Sequence, residues 1–214
     1  MHQSVKNLIS IKKELESISN KLPSIIAVSK TFSISNILPL IDYGHVHFGE
    51  NKVQEALEKW KNIKEQFSQI KLHMVGKLQS NKVKFALPLF DFIHSLDNEK
   101  LAKKIATEQT KYQKKPKIFI QVNIGDENQK SGINKHDLKD FYNYCNELNL
   151  DIIGLMCIPP VDVKTDIFFK EMSFLKNNLS LPDLSMGMSS DYLDATKNFS
   201  TYIRIGSKIF GKRS

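Results

Sequence analysis

The chain has 214 residues, of which 41% are hydrophobic and 25% charged, an ordinary globular composition with enough length for one domain and a full core. Its formal charge of +8 is almost wholly lysine spread among Glu, Asn and Gln, with Arg204 and Arg213 the only arginines, so a solvated surface is expected and a nucleic-acid partner is not. No run approaches the roughly 20 apolar residues of a membrane span, and Cys145 and Cys157 are too few for a disulfide framework, which leaves two reduced core thiols as the expectation.

Leu8, Ile11, Leu15, Ile18 and Leu22 recur at helical spacing and predict an N-terminal amphipathic helix. Glu14 and Glu16, with no apolar block leading to a cleavage site, set it apart from a signal peptide, so a cytoplasmic protein is expected. Ile25-Ile26-Ala27-Val28 reads as a buried strand, followed by a helix over 34–42 that stops at Gly44. Val46-His47-Phe48 is a second strand, and Val53, Ala56, Leu57 and Trp60 share the next helical face. Leu72 to Val75 opens a third unit, with a helix near 80–87 ended by Pro88. Phe92-Ile93-His94 opens a fourth, with a helix over about 98–112. Lys117 to Asn123 is the fifth strand, followed by a helix carrying Leu138, Phe141, Tyr142, Cys145 and Leu148. Ile152 to Met156 precedes a helix over 163–179, Leu184 marks the seventh strand with a short helix near 190–198, and Thr201 to Arg204 is the eighth.

Eight alternations of strand and helix predict one (β/α)8 TIM-type barrel over residues 1–214, with the first helix as an extra N-terminal element. A doubly wound open sheet is the alternative, because pattern alone does not show closure. The six histidines are scattered without ligand spacing, so no metal is expected.

In such a barrel, functional residues gather where the strands end. Lys30 closes the first strand, where desolvation would make its amine nucleophilic towards a carbonyl; a plain solvent-facing lysine is the competing reading. Gly49 permits a tight turn, Asn51 would cap the next helix or point at a ligand, and Ser80 is a candidate N-cap. Ser185 follows strand seven, and Gly206 and Ser207 follow strand eight, the usual phosphate site of this fold. Arg204, an arginine in a buried strand, needs an acceptor, and a pyridine nitrogen is one. A lysine and a phosphate cradle bracket a phosphorylated carbonyl compound, either pyridoxal phosphate or a sugar phosphate.

Eight collinear segments resemble the pyridoxal-phosphate homeostasis proteins over nearly the whole chain. They are Ala27-Val-Ser-Lys30-Thr, His47-Phe-Gly-Glu-Asn51, Leu78-Gln-Ser-Asn-Lys82, Ile93-His-Ser-Leu-Asp97, Gln121-Val-Asn-Ile124 with Lys130-Ser-Gly132, Gly154-Leu-Met-Cys-Ile-Pro-Pro160, Ser185-Met-Gly-Met-Ser189 and Arg204-Ile-Gly-Ser-Lys-Ile-Phe-Gly211. The resemblance implies an alanine-racemase-like barrel (PLP fold type III) that binds pyridoxal 5′-phosphate. It implies that Lys30 forms the internal aldimine, that Ser185, Gly206 and Ser207 hold the phosphate, that Arg204 faces the pyridine nitrogen and that Asn51 lies near the ring. Lys77 departs from the family's usual histidine, and Asn198-Phe199 from its usual Ala-Gly.

The function implied is intracellular buffering or delivery of the cofactor, without turnover, with apo forms of pyridoxal-phosphate enzymes as candidate recipients. The alternative is a racemase-like enzyme. An arginine does not protonate the ring as a carboxylate would, and a racemase needs a second acid/base, which related enzymes supply from an additional domain. With the sequence closing at Ser214, no such domain and no dimer contact through it are expected, so a monomer is expected. A Schiff-base aldolase acting on a sugar phosphate is a third reading.

Overall fold

The computed structural model describes residues 1–127, 129–161 and 163–211. Helix α1 (Gln3–Glu16) precedes the strands β1 (Ser24–Val28), β2 (His47–Glu50), β3 (Lys71–Met74), β4 (Phe92–Leu96), β5 (Lys117–Gln121), β6 (Asp151–Met156), β7 (Asp183–Ser185) and β8 (Tyr202–Ile205). The strands pair in sequence order, all parallel, and β8 returns to β1 through Ile26↔Arg204 and its neighbours. The barrel is closed, which rules out the open sheet.

Between the strands run α2 (Ile34–Asp42), α3 (Val53–Gln66), α4 (Val83–Leu89), α5 (Glu99–Tyr112), α6 (Leu138–Glu147), α7 (Asp166–Asn178) and α8 (Tyr192–Lys197), with α9 (Ser207–Phe210) closing the described chain. Each buries an apolar stripe against the outer wall of the barrel. In α5, Leu101, Ala102 and Ile105 face inwards, and Asn98 starts the helix by accepting the Leu101 N–H at 2.9 Å. On α1, Val5, Leu8, Ile11 and Leu15 are buried, each large side chain worth about 1.5–3 kcal/mol of transfer free energy. The barrel's inside holds a separate cluster of Phe92, Phe119 and Met156, with Ile153 and Tyr202 packed on it.

Several boundaries differ from the sequence pattern. Helix α1 stops at Glu16, because Ser17 turns its hydroxyl back onto the Glu14 carbonyl at 2.7 Å, and Leu22 lies outside the helix, exposed. Ser80 opens a 3₁₀ turn over Ser80–Lys82 instead of capping an α-helix, and α4 runs one residue past Pro88. Gly49 makes no turn: it lies inside β2, where a Cβ would stand 2.9 Å from the Ile26 side chain. Among the described residues, no helix is long and apolar enough to cross a membrane.

Candidate functional site

The ends of β1 and β8, with the loops after β2, β3, β6 and β7, enclose a cleft of about 390 Å³ at the mouth of the barrel. That lies within the roughly 300–1,000 Å³ usual for small-molecule sites. Lys30, Asn51, Arg204, Gly206 and Ser207 all line it, so five of the six expected residues meet in one place. Ser189 and Ser190 from the loop after β7 join them, with Val28, Val75 and Ile158 as apolar walls.

Lys30 is held from behind by a buried polar knot. One oxygen of Glu50, Oε1, accepts the Ser29 hydroxyl at 2.7 Å, the Trp60 indole N–H at 2.9 Å and the Lys59 ammonium at 3.0 Å. Lys59 also donates to the Ser29 carbonyl at 2.9 Å, so both ends of Ser29 are fixed immediately before Lys30. Immediately after it, Thr31 takes the left-handed conformation (φ +68°), a strained state for a β-branched residue, and its N–H donates to Glu55 at 2.6 Å. The lysine therefore sits on a short segment clamped on both sides.

Asn51 does not cap α3; Lys52 occupies that position. Its place is set by Gly76, where a Cβ would lie 2.4 Å from the Asn51 carbonyl oxygen, so a glycine is required for the β3 loop to close over it. Lys77 is exposed and lines a neighbouring hollow with Lys52 and Lys82, outside the Lys30 cleft.

On the far side, Gly206 packs against the first strand, where an added Cβ would stand 3.3 Å from the Val28 carbonyl oxygen. The Lys208 N–H donates to the Ser189 hydroxyl at 3.4 Å, which ties together the loops after β7 and β8. Phe32 stacks on Phe210 with ring centroids 4.8 Å apart, closing the rim between the Lys30 loop and α9. The extra N-terminal helix supports this rim: Asn7 donates to the Ile209 carbonyl at 2.9 Å, and Glu14 pairs with Lys208 at 3.0 Å.

Arg204 forms the floor. It is 5% exposed, donates from Nη1 to the Ser185 carbonyl at 2.6 Å and hydroxyl at 2.8 Å, and from Nη2 to the Cys157 carbonyl at 2.8 Å. Ser185 is wholly buried and is not part of the cleft lining. Ser185 therefore stands apart from the other five expected residues: the strand's two-residue period turns its hydroxyl into the barrel, where Arg204 and His94 engage it.

The histidines that look scattered in sequence also meet there. His47, His73 and His94 lie on β2, β3 and β4, and successive rings approach to 2.9 Å. Their separations of 26 and 21 residues are one strand–helix unit each, the signal that local motif spacing misses. Among the described residues no group of His, Cys, Asp and Glu has the arrangement of a metal site.

Known proteins are similar to this chain in sequence and in fold. Residues 7–214 fit the family described as alanine racemase, N-terminal domain. The chain is 36% identical over 199 residues to the pyridoxal phosphate homeostasis protein of Aquifex aeolicus, covering 88% of this chain and 86% of that one. It is 35% identical to the Escherichia coli K12 protein of the same name, covering 89% and 86%. Among solved structures it is similar to PipY of Synechococcus elongatus with PLP bound, at 32% identity and a TM-score of 0.89, covering 98% of this chain and 100% of that one. Alanine racemase of Clostridium difficile shares the fold at 13% identity and a TM-score of 0.76; the match takes in 99% of this chain and 57% of the enzyme.

Proposed function

Since the chain belongs to the family of pyridoxal phosphate homeostasis proteins, built on the alanine racemase N-terminal barrel, we propose that it is a single barrel domain that holds pyridoxal 5′-phosphate reversibly in the Lys30 cleft, inside the cell, to buffer or deliver it. The observation that carries this reading is the convergence of Lys30, Arg204 and the Gly206-Ser207 loop on one cleft. The cofactor supplies an aldehyde that an amine captures reversibly, a pyridine nitrogen that accepts a hydrogen bond, and a phosphate. The donor set fits all three. Lys30 takes the aldehyde end. Ser207, with Ser189 and Ser190 added to the expected set, offers hydroxyls to the phosphate, and Gly206 lets the backbone approach. Arg204 donates to the ring nitrogen from the floor, and Asn51 borders the ring.

A binding role is favoured over a racemase-like one by what lines the cleft. Among the described lining residues, Lys30 is the one lysine, histidine, carboxylate, tyrosine or cysteine side chain, whereas racemisation needs a second acid/base on the opposite face. Arg204 is fully charged there, although burial lowers its pKa from the ordinary value. A lining with one amine and no second acid/base among the described residues would hold and release the cofactor without moving a substrate proton, which suits a carrier.

The test is a titration of the apo-protein with pyridoxal phosphate followed by borohydride reduction and peptide mapping. A yellow 1:1 complex with the label on Lys30 is expected. A label on Lys77 or Lys82, or none, overturns the assignment. Sustained amino-acid turnover by the pure protein, lost in Lys30→Ala, overturns the carrier role.

A further inference from the structure

Behind the cleft the barrel's core is polar in one continuous line. His47 Nδ1 lies 2.9 Å from His73 Nε2, His73 Nδ1 lies 2.9 Å from His94 Nε2, and His94 Nδ1 lies 2.8 Å from the Ser185 hydroxyl, which in turn receives Arg204 at 2.8 Å. His73, His94 and Ser185 are fully buried, and His47, at the start of β2, is half-buried. Each buried ring is fixed in plane by an aromatic of the next strand: His73 stacks on Phe92 with centroids 4.1 Å apart, and His94 on Phe119 at 4.4 Å. We infer that these three imidazoles and Ser185 form a one-way hydrogen-bonded column, its direction set by Arg204, that positions the guanidinium to meet the cofactor's ring nitrogen.

The direction follows from counting donors. A guanidinium has hydrogens to give and no lone pair to offer, so Ser185 Oγ must accept from Arg204. Among the described residues, the other partner of that oxygen is His94. If His94 Nδ1 carried a hydrogen, it too would donate to Ser185, and the buried serine hydrogen would have no acceptor. The satisfied arrangement has Ser185 donating to a bare His94 Nδ1. Burial, with Arg204 nearby for His94 and the neighbouring histidines for His73, holds both rings well below the ordinary histidine pKa, so each is neutral, with one donor and one acceptor. A bare Nδ1 on His94 therefore puts its hydrogen on Nε2, which donates to His73, and His73 Nε2 donates to His47. Every hydrogen points away from Arg204, and each bond polarises the next.

None of the column's members except Arg204 lines the cleft, so they are positioning residues. Their part in cofactor binding rests on the proposed site; their tautomers do not. In 15N-labelled apo-protein at pH 7, two-bond 1H–15N correlations should show His73 and His94 protonated on Nε2 and bare on Nδ1. Ser185→Ala should release His94 from that tautomer. A reversed tautomer at either ring, or a His94 indifferent to Ser185→Ala, overturns the column. For the link to the cofactor, His94→Gln keeps a donor and an acceptor and should retain wild-type affinity and bound-state absorbance. His94→Phe should weaken pyridoxal phosphate binding about tenfold, the scale of one hydrogen bond. A folded His94→Phe protein with unchanged affinity and absorbance overturns the positioning role; if that variant does not fold, the affinity of Ser185→Ala decides in the same sense. Failure of the wild type to bind the cofactor would count against the site alone, because the tautomers are read without it.

Discussion

Arg204 and Ser185 meet twice, the guanidinium reaching both the serine carbonyl at 2.6 Å and its hydroxyl at 2.8 Å. That double contact engages Ser185 beneath the floor that Arg204 forms, outside the cleft lining. Ser185→Ala should therefore lower the affinities for pyridoxal phosphate and for pyridoxal together, leaving their ratio unchanged. It should also destabilise the apo-protein by about 1–3 kcal/mol, as a buried hydroxyl bonded to a charge is lost. Ser207→Ala should do the reverse, cutting the phosphate-dependent ratio with little change in melting. Paired titrations with the two vitamers decide, and equal ratios in both variants would remove Ser207 from the phosphate.

Glu50 is the post on which the Lys30 segment stands. Glu50→Ala removes the acceptor shared by Ser29, Lys59 and Trp60 and leaves the Lys59 ammonium, its side chain 9% exposed, with Glu55 as its remaining acidic partner. A loss of about 3 kcal/mol is expected, the low end for breaking a buried pair, read by urea unfolding. Trp60 is the chain's one tryptophan and is fully buried, so its fluorescence reports this knot directly. A variant that keeps both stability and the wild-type emission would show that Lys30 is held by other contacts.

Much of this was readable in the sequence, for reasons that also mark where reading stopped. The strands are short runs with apolar centres, most of them carrying isoleucine, set between helical periodicities, so eight units and their order emerged from local chemistry. Lys30, Asn51, Arg204, Gly206 and Ser207 followed because a parallel barrel delivers every strand end to one face. The burial of Ser185 was not legible because a strand end carries two faces: one residue looks to the mouth and the next into the barrel. The histidine column escaped because its spacing is set by whole strand–helix units, and closure is what brings neighbouring strands' rings into line. Phe199 takes φ +65° with its side chain 76% exposed, a conformation that a phenylalanine in sequence gives no cause to expect.

Cys145 and Cys157 are both free and buried, and burial pushes both thiols up to about 12. At pH 8 the thiolate fraction is on the order of 10⁻⁴, so neither should react with a disulfide reagent in the folded protein, and both should after denaturation. The raised values also carry a sign for stability. The folded state holds these protons more tightly than the unfolded chain, so stability should fall as pH rises from the unfolded value of 9.0 towards 12. Rapid labelling of one thiol in native protein would place that cysteine in an accessible site.

The buried histidines predict the opposite sign at acid pH. Burial holds His45 at about 4, and His73 and His94 well below the ordinary 6.5. Each is neutral in the folded state and binds a proton on unfolding once the pH drops below 6.5, so the unfolded chain carries more protons and folding weakens with acid. Each group contributes about 1.4 kcal/mol per pH unit below its unfolded value until its folded value is reached, which for His45 is near 4. Carboxylates add loss of the same sign, but mainly below about pH 5, around the carboxylate range of roughly 4. The window between pH 6.5 and 5 therefore isolates the histidines. Urea midpoints should decline steadily across it, and His45→Gln should shallow the slope by one proton's worth while leaving the pH 7 spectrum of bound cofactor unchanged. A flat profile across that window would mean that the column accepts protons while folded, and the one-way arrangement behind Arg204 could not then persist in mild acid.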